Sequence, residues 1–132
     1  MAKGSCLCGN VAYECGEIGP AITKCHCTLC KKTSGSAYAD YTTTPIGKFR
    51  WSLGEDLLTK IESSPGNFRN FCSKCGTHMP TLHPSMGIAF VQPGTLDTRE
   101  DLVESAHMFV RSQSPWHRLE PGLKEFAEYP TA

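Results

Sequence analysis

Three thiols crowd into the six residues Cys25-His26-Cys27-Thr28-Leu29-Cys30, a density of soft donors that suits a metal ion. On an extended segment, side chains two apart share a face, so Cys25 and Cys27 can grip one ion while His26 points away from it. The turn implied by the following Cys-x-x-Cys swings Cys30 onto the same ion. Three sulfur ligands select zinc or an iron–sulfur cluster. A zinc held by three protein ligands keeps its fourth position for water or substrate, whereas a structural zinc has all four filled by protein. The spacing therefore predicts an open site.

Four more cysteines stand at chelate spacing, in Cys6-Leu7-Cys8 and Cys72-Ser73-Lys74-Cys75. Gly4 and Gly9 bracket the first pair and Gly76 follows the second, as expected where the backbone curls around an ion. Together these four sulfurs would close one tetrahedral site. Because 63 residues lie between Cys8 and Cys72, a single ion there would close a large loop. Cys15, the eighth cysteine, has no partner at metal spacing and reads as a small buried hydrophobe.

The rest of the chain must position these clusters. Its 132 residues suit one compact domain, 1–132. Thirteen basic residues balance thirteen acidic ones, which disfavours nucleic acid or an anionic membrane as a partner. No apolar run is long enough to span a bilayer, and Met1-Ala2-Lys3-Gly4-Ser5-Cys6 lacks the apolar stretch of a signal peptide, so a cytoplasmic location is expected. In that reducing compartment, clustered cysteines point to metal binding rather than disulfides.

Short strands are expected over 10–15, 22–24, 37–44, 48–53, 57–61, 67–71, 77–82, 87–91 and 106–110, separated by Gly and Pro turns. Brief helical turns are expected over Lys31–Gly35 and Thr98–Leu102, the second capped by Thr98. Residues 121–129 read as irregular or briefly helical and are expected to pack across the sheet. The sum is a mostly β fold stapled by metal. His78, His83, His107 and His117 suit surface or satisfied core positions, and none is taken as a ligand. Lys24, Lys31 and Lys32 flank the central motif, where they could offset negative charge.

The clusters, in this order, resemble the family of glutathione-dependent formaldehyde-activating enzymes. The resemblance takes in Gly4-Ser5-Cys6-Leu7-Cys8-Gly9, Cys25 to Cys30, Phe71-Cys72-Ser73-Lys74-Cys75-Gly76, Pro93-Gly94-Thr95-Leu96-Asp97, His107-Met108-Phe109-Val110 and Pro115-Trp116. It implies a small zinc-stapled, multi-sheet β fold of the Mss4-like kind with two zinc ions. A structural zinc would sit on Cys6, Cys8, Cys72 and Cys75, and a catalytic zinc on Cys25, Cys27 and Cys30. The activity implied is that of a carbon–sulfur lyase acting in reverse, joining glutathione to formaldehyde as S-hydroxymethylglutathione. Lys31, Lys32, Arg111 and Arg118 are candidates to meet glutathione's carboxylates.

Two other classes compete. In a binding or scaffold module both metals would be structural, with a histidine or a partner's group closing the central site. A nucleic-acid-binding zinc protein is disfavoured by the neutral charge and by the lack of a basic helix between ligand pairs.

Overall fold

The computed structural model describes residues 1–130; Thr131 and Ala132 lie outside the described residues. The strands run in order β1 (Ala2–Ser5), β2 (Ala12–Cys15), β3 (Ala21–Cys25), β4 (Ala39–Pro45), β5 (Phe49–Leu53), β6 (Leu58–Ser64), β7 (Asn67–Cys72), β8 (His78–Met79), β9 (Thr81–His83), β10 (Ile88–Val91), β11 (Val103–Met108) and β12 (Lys124–Glu125). A single α-helix, α1 (Thr28–Ser34), falls between β3 and β4 among the described residues. Short 3₁₀ turns punctuate the rest, and no helix is long and apolar enough to cross a membrane.

The chain groups into two compact units, one formed by Met1–Gly19 with Thr42–Asp101, the other by Pro20–Tyr41 with the chain from Leu102 onward. In the first unit, β1, β2 and β5 form one antiparallel sheet and β6, β7 and β8 another. The end of β4 pairs with β10, which pairs in turn with β9. Period-two patterning explains β2: Tyr13 and Cys15 face inward, while Ala12 and Glu14 are half-buried on the other side. Tyr13 anchors this core, stacked on Phe49 with ring centroids 5.5 Å apart and edge-on to Trp51 at 6.3 Å. Its hydroxyl lies 2.6 Å from that of Thr95, so the one polar atom of the buried ring is satisfied. Burying a ring of this size stabilises the unit by about 2–3 kcal/mol. Cys6 and Cys72 lie in the same buried cluster as Val11, Tyr13, Met79 and Val91. The metal-type thiols here are part of the core.

Two expectations need correction in this unit. The strand expected over 77–82 breaks at Pro80, which lacks the N–H a continuous ladder needs; Asn70 donates instead to the Pro80 carbonyl at 2.9 Å. Thr98–Leu102 forms no helix. The Thr98 hydroxyl accepts from the Lys3 amide at 3.0 Å, and the Asp97 amide donates to the Lys3 carbonyl, so this segment is tied to β1.

In the second unit, β3 lies between β11, to which it is parallel, and the first residues of β4, to which it is antiparallel. Cys25 ends β3 opposite Met108 on one side and Ala39 on the other. The tail does not pack across a sheet. It lies along the outer edge of β11 as the short parallel strand β12, where the Phe126 amide donates to the His107 carbonyl at 2.9 Å. That edge carried unpaired backbone groups, and the tail supplies their partners. The helical turn expected from Lys31 begins earlier, at Thr28, because Cys27 serves as its N-cap.

Candidate metal centres

The first unit brings Cys6, Cys8, Cys72 and Cys75 together, with every sulfur within 4.8 Å of every other. Cys6 Sγ lies 3.6 Å from Cys8 Sγ, which lies 3.8 Å from Cys72 Sγ. A tetrahedral zinc with bonds of ~2.3 Å would hold its sulfurs ~3.8 Å apart, so these spacings fit the ion. A disulfide needs sulfurs at ~2.0 Å, well inside these spacings. Each pair sits in a tight backbone knuckle. The Gly9 amide donates to the Cys6 carbonyl and the Gly76 amide to the Cys72 carbonyl, and both glycines take φ +79°, a conformation costly for other residues. Leu7 N–H donates to Thr77 Oγ1 at 3.0 Å, tying the first knuckle to the second.

Donors also converge on the sulfurs. Val11 N–H points to Cys6 Sγ at 3.3 Å and the Asn10 amide to Cys8 Sγ at 3.2 Å, while Thr77 Oγ1 lies 3.2 Å from Cys75 Sγ. The Thr77 hydroxyl and amide hold the Cys75 thiol down at about 5, and the Asn10 backbone and side chain lower that of Cys8. Burial instead raises Cys72. Such donors stabilise thiolates, the form a metal binds.

The second unit brings together Cys25, Cys27 and Cys30, again with all sulfurs within 4.8 Å of one another. Strand β3 delivers Cys25, the N-cap position of α1 holds Cys27, and the first turn of α1 presents Cys30. Cys27 Sγ accepts from the Cys30 amide at 3.3 Å. The Tyr41 hydroxyl lies 3.7 Å from Cys30 Sγ. Cys25 and Cys30 are buried and Cys27 is half-exposed. The Cys27 thiol, then Cys30, then burial push the Cys25 thiol far up. Three thiols this close cannot all ionise without a cation among them, which makes the group a fitting donor set for one. Among the described residues, the converging group has three members, not four.

Two of the lysines proposed from sequence as counter-charges, Lys24 and Lys31, are engaged elsewhere, as is Arg111. Lys24 is 2 % exposed at its side chain, 2.7 Å from Glu104, 3.6 Å from Asp40 and 3.1 Å from the Tyr38 hydroxyl. Burial acts to lower its pKa, but Glu104, Tyr38 and Asp40 outweigh it and hold the ammonium charged. Lys31 donates to the Ser112 carbonyl at 2.6 Å, and Arg111 pairs with Glu128 at 2.8 Å.

Sequence reasoning missed the histidines. His26 and His107 are fully buried, with His26 Nε2 2.8 Å from His107 Nδ1. His107 Nε2 lies 2.8 Å from a Glu120 carboxylate oxygen. The His117 ring stands 5.4 Å from that of His26, and Tyr38 packs against both. Burial, followed by the charges of His107 and His117, lowers His26 to about 4. No local spacing announces this group, since β3, β11 and the tail each contribute.

A solved structure of a Rhodobacter sphaeroides protein superposes on 94% of this chain and 98% of its own with a TM-score of 0.63 at 20% identity, a likeness of fold. The fold is thus mostly β, built of several small sheets, and its cysteine clusters fit a zinc-binding Mss4-like arrangement. A Talaromyces marneffei protein, named provisionally as a glutathione-dependent formaldehyde-activating enzyme, is 34% identical over 79 residues. That match covers 57% of this chain and 42% of the relative, so the chain spans under half the length of the curated relative it matches. Residues 1–112, which carry both thiol clusters, match the family's own sequence profile, and the chain belongs to the glutathione-dependent formaldehyde-activating enzyme family.

Proposed function

We propose that this chain is a zinc-dependent carbon–sulfur lyase working in the joining direction, with a glutathione-like thiol bound at the three-cysteine centre adding to a small aldehyde such as formaldehyde. The observation that carries this reading is the difference in donor number: four thiols converge in one unit and three in the other. In it, Cys6, Cys8, Cys72 and Cys75 hold a structural zinc, and Cys25, Cys27 and Cys30 hold a zinc with one place to spare. Zinc supplies the positive charge that keeps a bound thiol in its thiolate form near neutral pH. In the addition, the thiol's sulfur forms a bond to the aldehyde carbon, the carbonyl π bond breaks, and the thiol proton ends on the new hydroxyl oxygen.

The chain's own residues fix the direction of approach. Cys25 and Cys30 are buried while Cys27 is half-exposed, so a ligand reaches the centre from the Cys27 side. Holding the sulfur there makes the addition one of proximity and orientation. Lys32 and Arg118 remain the candidate cations for the ligand's carboxylates. The family match over residues 1–112 draws on both units, which supports treating 1–132 as one functional domain. A reducing cytoplasm would keep its thiols available.

The test is a titration. With cobalt in the three-cysteine centre, glutathione should change the sulfur-to-metal charge-transfer band and release a proton, and formaldehyde should then yield S-hydroxymethylglutathione faster than in buffer. No spectral change at millimolar thiol overturns the enzyme reading in favour of a scaffold in which both metals are structural.

A further inference from the structure

We infer that the outer edge of β6 docks a second copy of this chain, strand against strand, antiparallel about a two-fold axis at Ile61. Strand β6 ends its sheet, in the order β6-β7-β8, so one side of it meets β7 and the other meets no strand among the described residues. Which residues use which side follows from the ladder. The Cys72 amide donates to the Thr77 carbonyl, on the β8 side of β7, and the Ser73 amide donates to the Leu57 carbonyl, on the β6 side. Backbone groups alternate sides along a strand, so Phe71 and Arg69 turn theirs to Thr59 and Ile61, the residues opposite them. Leu58, Lys60 and Glu62 therefore turn their N–H and C=O groups outward. Among the described residues, Lys60, Ile61 and Glu62 make no backbone hydrogen bond outside this hairpin, and all three are exposed, Ile61 by 49 %.

An open edge is a template for another strand, and the residues along it decide which strand fits. Here the edge is complementary to itself. With Ile61 on the axis, Lys60 of each copy stands opposite Glu62 of the other, so two opposite-charge pairs flank one aliphatic pair. Both kinds of cross-strand pair are favourable, and like charges directly opposite are not. Moving the axis to Lys60 or to Glu62 would set like charges against each other, so the charges also fix the register. The backbone agrees with the side chains. The outward-turned Lys60 and Glu62 become the hydrogen-bonded pairs, with four N–H to carbonyl bonds across the axis, and Ile61 meets its copy at the closer, non-hydrogen-bonded spacing. Lys60 and Glu62 share one face of β6, where Lys60 Nζ lies 4.5 Å from the ring of Phe68, the residue opposite Glu62. The ladder is irregular between Glu62 and Ser64, which keeps the contact short and the dimer weak and reversible. This pairing concerns the first unit and does not depend on the chemistry proposed above.

The experiment is a charge swap read by sedimentation equilibrium on the zinc-loaded chain. Wild type at rising concentration should show a monomer–dimer equilibrium. Lys60→Glu sets carboxylate against carboxylate at both contacts and should weaken association about tenfold or more, and Glu62→Lys should do the same with two ammonium groups. The double variant Lys60→Glu/Glu62→Lys restores opposite charges in the same register and should restore the dimer. Both positions are exposed, so the fold should hold, as circular dichroism would confirm. Amide hydrogen exchange in wild type needs no variant at all. The Lys60 and Glu62 amides should exchange more slowly as concentration rises, whereas those of Thr59 and Ile61, already bonded to β7, should not change. A monomer at every concentration overturns the inference and leaves the edge to a strand of some other protein. A dimer indifferent to both single variants, or a double variant that stays monomeric, places the contact elsewhere and overturns it as well.

Discussion

The two thiol clusters use one kind of donor in opposite ways. Cys6, Cys8, Cys72 and Cys75 come from two backbone knuckles far apart in sequence, and two of the four lie in the hydrophobic core of their unit. Cys25, Cys27 and Cys30 come from one strand end and the helix that follows, so their approach to one another is local. A metal on the first set joins distant parts of the chain and contributes to folding. On the second set, in the function proposed above, it would add little to folding and be available for chemistry. What would separate a structural from a reactive centre in that reading is the sequence distance an ion would bridge, together with the number of ligands it is given.

The largest effect should come from breaking the first set. Structural zinc contributes roughly 10–16 kcal/mol of apparent binding free energy, comparable to the whole stability of a small domain. Cys72→Ser should therefore abolish cooperative melting and reduce zinc content, as followed by circular dichroism and metal analysis. Cys27→Ser should leave the melting temperature within a few degrees of wild type while removing one metal per chain and the response to thiol. Equal losses of stability in the two variants would erase the distinction. Mild chelation gives the same contrast without mutation. About one equivalent of metal should leave first with the fold intact, and simultaneous release of both with unfolding would count against separate roles.

The grouping of seven thiols into these two sets was legible in the sequence. Cys-x-Cys and Cys-x-x-Cys spacings encode which sulfurs can share a face or a turn, and the glycines beside them signal the knuckles. The alternating pattern of residues 12–15 and the β-rich runs gave the fold class. Groups assembled across strands were not legible. His26 meets His107 only because β3 and β11 pair in parallel, and Glu120 arrives from a tail whose pairing as β12 leaves no hydrophobic pattern. Lys24 read as a flanking cation because its partners, Glu104 and Asp40, come from neighbouring strands. The Thr98 cap was misread for a similar reason: its hydroxyl was taken by Lys3, at the other end of its unit's chain.

Lys24 sharpens the comparison by a smaller amount. If its ammonium served the three-thiol centre, Lys24→Met would weaken thiol binding and spare the fold. Its contacts with Glu104, Asp40 and Tyr38 predict the reverse. Removing a buried cation leaves its carboxylates uncompensated, a loss of several kcal/mol when all partners are buried and about 2–3 kcal/mol here, where Glu104 and Asp40 reach solvent. Urea titration should show that loss, while the cobalt band and its response to glutathione stay as in wild type.

Cys15 supplies a control for both clusters, as a thiol that belongs to neither. It is fully buried in the core of the first unit, and burial pushes its pKa up to about 11 from 9. The folded state therefore prefers the protonated thiol, and the sign follows. This contribution is complete below pH 9, the unfolded value, and is lost as pH rises through about 11. Between those limits the loss should be on the order of 2–3 kcal/mol. Cys15→Ala removes the titrating group at the cost of a small cavity, so it should be less stable than wild type near pH 7 but lose less on going to pH 11. Urea midpoints at the two pH values, with zinc in excess, measure the difference of slopes. Parallel slopes would mean that Cys15 does not titrate in this range and that the alkaline loss belongs to other groups. A flatter slope in the variant would show what a thiol does in this core when no metal is there to take its proton's place.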